Sequence, residues 1–249
     1  MTLVIFAGGS GTRMGNYTIN CPKPLICIGN KPIIEHLIEY YNHFNVSNII
    51  VCCGYLYEKV FEYYINKGKT TQWLNKNVVC INVEKNRNMT LINTGLNSGT
   101  AERLLMCKDY IKDDDFYLTY ADGLSDIDQN KLLAYHQNNN KLVTISAVHP
   151  IEKYGCIVFD NNNQVIDFSE KALDTNRWIN GGFMVVNKKV FNYYKTNDVS
   201  FEKDILERLS KIGELLALKH NGFWFCMDSH EDMIKLEKLV SQNNMPWNL

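Results

Sequence analysis

Apolar residues in this chain come in short, nearly continuous runs separated by stretches of helical period. Leu3–Ala7 is apolar throughout, the pattern of a strand buried on both faces of a parallel sheet. Asn48–Cys53 repeats that character and is closed by Gly54 and Tyr55, and Val78–Val83 and Asp115–Tyr120 read as further strands. Between the first two runs the period changes. Ile33, Ile34, Leu37, Ile38 and Tyr41 form one stripe of a helix expected over Asn30–Tyr41, with Pro32 in its first turn. An aromatic-rich helix is expected around residues 57–66, and a polar turn at Asn93 opens into another helix running to about Lys108. This succession predicts a doubly wound α/β sheet with ligands at the carboxyl ends of its strands, where Gly8, Gly54 and Glu84 are expected.

The second half breaks the alternation. Leu142–Val148, Cys156–Phe159 and Val165–Phe168 read as strands, the last two joined by a turn at Asn161, Asn162 and Asn163. They suggest a small β subregion rather than a separate domain. Trp178 begins another strand, and the chain ends with helices around residues 201–212 and 229–241. Ser229 and Asp232 give the second of these an S-x-x-D start ahead of Met233, Leu236 and Leu239. No linker-like stretch or internal repeat divides residues 1–249, which are read as a single domain.

Composition narrows the function classes. A chain of 249 residues, 45% hydrophobic and 21% charged, builds one substantial core. A formal net charge of −1 gives no basic excess for nucleic acid, so a cationic site has to be local. The sequence has neither a membrane-length apolar run nor the pattern of a signal peptide, so no membrane partner is expected and the cytoplasm is the expected compartment. The eight cysteines include no C-x-x-C pair, and most are read as small buried hydrophobes in a reducing compartment.

The candidate chemistry sits at strand ends. Ala7 is followed by Gly8, Gly9, Ser10, Gly11 and Thr12, a turn whose bare backbone N–H groups suit an anion, with Arg13 and Lys23 as nearby cations. The spacing fits neither G-x-G-x-x-G nor a P-loop, and the glycines alone are compatible with a structural turn or a phosphate site. Thr94, Gly95, Gly99, Thr100 and Arg103 are compatible with a helix start, capped by Ser98 or Thr100, or with a base-recognition loop. Asp122, between a strand end and Gly123, reads as a turn residue or a metal-binding carboxylate, and Asp228 by itself reads as a loop residue.

The run from Ala7 to Met14 (AGGSGTRM), followed by Pro22-Lys23-Pro24, resembles the signature of the sugar-phosphate nucleotidyltransferases, or nucleotide-sugar pyrophosphorylases. The resemblance extends over nearly the whole chain and is strongest to the glucose-1-phosphate cytidylyltransferases, down to Met245-Pro246-Trp247. It implies a Rossmann-like, mixed but mainly parallel sheet with a small β acceptor-binding subregion. Residues 1–140 would form the nucleotide-binding part, and residues 141–249 the acceptor-binding part with the C-terminal helices. Ala7, Gly8, Gly9, Ser10, Gly11 and Thr12 would hold CTP, with Thr94, Gly95, Gly99, Thr100 and Arg103 at its base. Arg13 and Lys23 would stabilise charge during attack on the α-phosphorus.

The stretches TYADGLSDID around Asp122 and GFWFCMDS around Asp228 resemble the segments that supply the two Mg²⁺ ligands. Glu170 and Lys171, with Asn180 and Gly181 in INGGF, would hold a phosphorylated small-molecule acceptor. Ala172 stands where the family carries Pro. The acceptor implied is a sugar 1-phosphate such as glucose 1-phosphate, serving capsule or surface polysaccharide. Two alternatives are a non-sugar phosphate, as in phosphoglutamine-type capsule cytidylyltransferases, and a nucleotide-binding regulator without turnover. Family members are usually homo-oligomers.

Overall fold

The computed structural model describes residues 1–83, 87–151, 155–170 and 177–249. The chain begins with β1 (Thr2–Ala7), the two-residue strands β2 (Cys27–Ile28) and β3 (Lys31–Pro32), and helix α1 (Ile33–Tyr41). There follow β4 (Asn48–Cys53), α2 (Tyr57–Lys67), β5 (Thr70–Asn75), β6 (Val78–Val83), β7 (Arg87–Asn93) and α3 (Thr100–Cys107). Next are β8 (Asp115–Tyr120), β9 (Gly123–Ser125), α4 (Gln129–Asn139), β10 (Val143–Val148), β11 (Cys156–Phe159) and β12 (Val165–Ser169). The last elements are β13 (Ile179–Asn187), α5 (Glu207–Lys211), β14 (Leu215–Lys219), β15 (Trp224–Cys226) and α6 (His230–Ser241).

Among the described residues, nine strands form one sheet in the order β14-β10-β13-β8-β1-β4-β7-β6-β5. Its centre is parallel, β1 pairing with both β4 and β8, and β4 with β7. The strand β13 enters antiparallel between β8 and β10, and β6 runs antiparallel to β7 at the other side. The sheet is mixed and mainly parallel. Alternation along β1 sends Leu3, Ile5 and Ala7 to one face and Val4 and Phe6 to the other. The first face is covered by α1, α2 and α6 through Leu37, Phe61 and Leu236, the second by α3 and the 201–211 segment through Leu104, Phe201 and Leu209. Burial of each such side chain stabilises the fold by roughly 1.5–3 kcal/mol.

Several expectations need correction. Val78–Val83 is a strand, but β7 is the parallel neighbour of β4, and β6 folds back against it with Val83 opposite Arg87. The end of β6 therefore lies at the opposite edge from Gly8, and Glu84 itself falls outside the described residues. The strand β10 belongs to the main sheet, so the separate β subregion is only the β11–β12 hairpin. The first helix starts at Ile33, with Pro32 just before it in extended conformation.

Candidate active site

The parallel registers align four carboxyl ends. Ala7 pairs with Cys53, Cys53 with Asn93, and Phe6 with Tyr120, so the turns at Gly8, Gly54, Thr94 and Ala121 open along one edge. Asp122 follows β8 after one residue, Ala121. Antiparallel pairing of β9 with β15 places Cys226 opposite Gly123, and the Met227 N–H donates to the Asp122 carbonyl at 2.9 Å. This ribbon carries Asp228, about a hundred residues away in sequence, to the side of Asp122. The next residue, Ser229, caps α6, and the Asp232 carboxylate accepts from the Asp228 N–H at 3.1 Å, fixing the backbone there.

Two cations and two carboxylates meet at this edge. Lys23 Nζ lies 2.6 Å from Asp122 Oδ2 and 2.9 Å from Asp228 Oδ1, while Arg13 donates to Asp228 Oδ2 at 2.7 Å. Burial alone would lower the Lys23 ammonium, but Asp122 and the hydrogen bonds to both carboxylates lift it above its ordinary range, so it is charged at neutral pH. Burial, followed by the charges of Asp122 and Asp228, pushes the Cys226 thiol up. The carboxylate oxygens offer the hard donors that suit Mg²⁺, and their readiness to hold cations is visible in Lys23 and Arg13.

Two cavities flank the cluster. One, of about 220 Å³, is lined by Ala7, Gly9, Gly11, Thr12, Lys23 and Pro24. The other, of about 270 Å³, is lined by Tyr120, Asn180, Gly181, Gly182, Trp224 and Cys226. Arg13, Asp122 and Asp228 line both. The arrangement accommodates a polyanion in the first cavity and a second molecule beside it, with cations and carboxylates at the junction.

Gly11 takes φ +63° and packs against Thr18 and Lys23, which is why this position of the turn is glycine. Gly8 is set back from the cavity. A Cβ there would clash with the Arg103 guanidinium. Arg103 is itself buried and turned inward, donating to the carbonyls of Gly8 and Cys53 at 3.2 Å each and to the Thr94 hydroxyl. Burial lowers its pKa.

The surrounding loop is engaged in the same inward network. Thr94 Oγ1 donates to Cys53 O at 2.7 Å, and Gly95 adopts φ +88° with its N–H on Asn93. The helix cap differs from expectation: the Gly99 N–H donates to Glu102 at 2.7 Å, Ser98 Oγ turns back to Thr94 O, and Thr100 Oγ1 donates to Glu202. Thr94, Gly95, Gly99, Thr100 and Arg103 line neither cavity. Ser10 likewise lies outside the linings. Asn180 and Gly181 line the second cavity, and Glu170 is exposed beyond β12 with its carboxylate against Gly155. Lys171 lies outside the described residues.

Sequence reasoning missed three participants. Trp224 donates its indole N–H to Gly181 O at 2.7 Å, closing the second cavity, and Cys226 lines it. Both lie inside the stretch that located Asp228, but the resemblance there implies a role for the aspartate alone. Glu202 accepts from Thr100, Ser200 and Tyr120, and nothing in its local sequence marks it.

A family model described as nucleotidyl transferase matches residues 2–243. A Bacillus subtilis protein named "probable glucose-1-phosphate cytidylyltransferase" is 35% identical over 253 residues, covering 99% of both chains. The glucose-1-phosphate cytidylyltransferase of Salmonella typhimurium is also 35% identical, over 99% of this chain and 98% of its own length. Among solved structures, HddC from Yersinia pseudotuberculosis shares the fold at TM-score 0.71 and 24% identity, covering 96% of this chain and 99% of its own. The glycine turn with Arg13 and Lys23, gathered against Asp122 and Asp228 at one edge of a mixed sheet, is thus accompanied by near full-length similarity, and the chain belongs to the nucleotidyl transferase family.

Proposed function

We propose that this nucleotidyltransferase is a Mg²⁺-dependent cytidylyltransferase that joins CTP to a phosphorylated small molecule, a sugar 1-phosphate such as glucose 1-phosphate, and releases pyrophosphate. The observation that carries this reading is the junction of Arg13, Lys23, Asp122 and Asp228 between a glycine-walled cavity and one lined by Asn180 and Gly181. The glycine turn suits the triphosphate and the second cavity suits the acceptor. The 35% identical relatives named for CTP and glucose 1-phosphate support the choice of both substrates.

Asp122 and Asp228 would hold Mg²⁺, which when bound neutralises phosphate charge as a Lewis acid. The remaining chemistry belongs to the chain's own side chains. A phosphate monoester is mostly ionised at neutral pH, so the acceptor oxygen needs no general base. Backbone N–H groups of the turn orient the triphosphate, Asn180 and the Gly181 backbone orient the acceptor, and proximity lowers the barrier to attack on the α-phosphorus. Lys23 and Arg13 stand where charge builds on the α-phosphate and on departing pyrophosphate. The CDP-linked product would be consumed in surface polysaccharide synthesis, from the cytoplasm.

A pyrophosphate-release screen tests this. CTP, UTP, dTTP, ATP and GTP are each paired with glucose 1-phosphate, other sugar 1-phosphates and non-sugar phosphates. Turnover with CTP and a sugar 1-phosphate is the expected result. Turnover with CTP and only a non-sugar phosphate would keep the mechanism and replace the acceptor. Silence in every pairing would leave a nucleotide-binding regulator.

A further inference from the structure

The ribbon that aligns the two aspartates also brings a sulfur atom to them. Cys226 ends β15 directly opposite Gly123, one residue after Asp122 and two before Asp228. Its Sγ and one carboxylate oxygen from each aspartate all lie within 4.8 Å of one another. Cys226 also lines the 270 Å³ cavity with both aspartates, so an ion reaching the carboxylates reaches the thiol. That a cation is accommodated here is visible in Lys23, whose ammonium sits between the same two carboxylates.

We infer that Cys226 is a third, sulfur donor of the Asp122–Asp228 metal site, which therefore binds thiophilic divalent cations such as Co²⁺, Zn²⁺ and Cd²⁺ as well as hard ones. The inference rests on the proposal that these aspartates hold a metal. Carboxylates alone favour Mg²⁺ and Mn²⁺, whereas a thiolate selects for softer ions. In binding, the Cys226 S–H bond breaks, a metal–sulfur bond forms and the proton leaves to solvent. The remaining coordination positions stay open to phosphate and water.

The test is a titration of the whole protein with CoCl₂ under a non-thiol reductant, without and with CTP, followed by absorbance and calorimetry. MnCl₂ is run alongside as the hard-ion control. Wild type should develop a thiolate-to-cobalt charge-transfer band that saturates at one equivalent. Cys226→Ser should still bind Mn²⁺ and retain its circular-dichroism spectrum. It should lose the band and bind Co²⁺ about tenfold or more weakly. Comparison with Cys226→Ser separates this site from the other seven cysteines. If both proteins bind Mn²⁺ but the wild-type band is missing, or persists in Cys226→Ser, the sulfur donor is overturned while the carboxylate site stands. If neither ion binds under either condition, the metal site itself falls, and the sulfur donor with it.

Discussion

Lys23 and Arg13 share the same carboxylates but are held differently. The Lys23 side chain is 12% exposed and bridges both aspartates, whereas that of Arg13 is 68% exposed and pairs with Asp228. An exposed ion pair contributes about 0–1 kcal/mol, so Arg13→Ala should leave thermal stability nearly intact while lowering turnover by about 10²–10³. Lys23→Ala should lose as much turnover and somewhat more stability, because two facing carboxylates are left without their shared ammonium. Steady-state pyrophosphate release beside thermal melts checks both, and parallel losses of activity and melting temperature would make either residue structural. Asp122→Asn should raise the Mg²⁺ concentration needed for half-maximal rate by about tenfold or more, and an unchanged metal response would remove Asp122 from the site. Arg103 makes a different case. Its fork reaches the carbonyls that end two strands, so Arg103→Lys should cost about 1–3 kcal/mol in urea unfolding and raise the KM for CTP more than that for the acceptor. The cations were legible because glycine turn and cations are close in sequence. The inward turn of Arg103 was not, because its partners come from three strand ends.

At the scale of elements, legibility followed burial. The strands β1, β4 and β8 are almost wholly buried and announce themselves as apolar runs. The edge strand β5 is exposed at every position, and α4 buries only Gln129, Leu132 and His136, so neither carries the pattern that marks its type. The helix α4 exists because Asp128 caps it, accepting from the N–H groups of Asn130 and Lys131 at 3.0 and 3.1 Å. Helix α1 shows how a helix fixes a distant segment. His36 Nε2–H donates to Ile28 O at 3.0 Å, and the Trp247 indole donates to His36 Nδ1 at 3.3 Å, tying the C-terminal segment to α1 through a neutral imidazole. Burial holds this histidine below its ordinary pKa of 6.5, with the Ile28 bond opposing, and burial does the same to His136. A folded-state pKa below the unfolded one means the unfolded chain binds more protons in that window. The stabilisation is present above pH 6.5 and is lost as pH falls through the depressed values. Melting temperature should therefore decline on acidification below about 6.5, and His36→Phe should show a shallower decline, with the share of His136 remaining. An identical slope in the variant would acquit His36.

For the whole molecule, sequence pattern conveys that one mainly parallel sheet organises the chain, but not the order of its strands or which of them run antiparallel. Insertion of β13 between β8 and β10 depends on pairings between residues 115–120 and 179–187, which no local period encodes. That insertion is what sets Asn180 and Gly181 beside Asp122, so the cavity proposed for the acceptor is a product of topology, while the one proposed for the triphosphate is a product of one turn. The two sides should respond separately to ligand. A ligand bound only by the native state stabilises it by about 2.7 kcal/mol at a hundred times its Kd. For a chain of this length each kcal/mol raises the melting temperature by about 2–4 °C. CTP with Mg²⁺ should accordingly raise the melting temperature by roughly 5–10 °C at that concentration, and UTP or GTP by clearly less. A sugar 1-phosphate added alone should shift it little, and added after CTP it should shift it further, because CTP at the junction completes the wall against which the acceptor packs. Differential scanning fluorimetry reads all of these. Equal shifts from CTP, UTP and GTP would show that the loop from Thr94 to Arg103 does not select the base, and no shift with any nucleotide would remove the glycine-lined cavity as the triphosphate site.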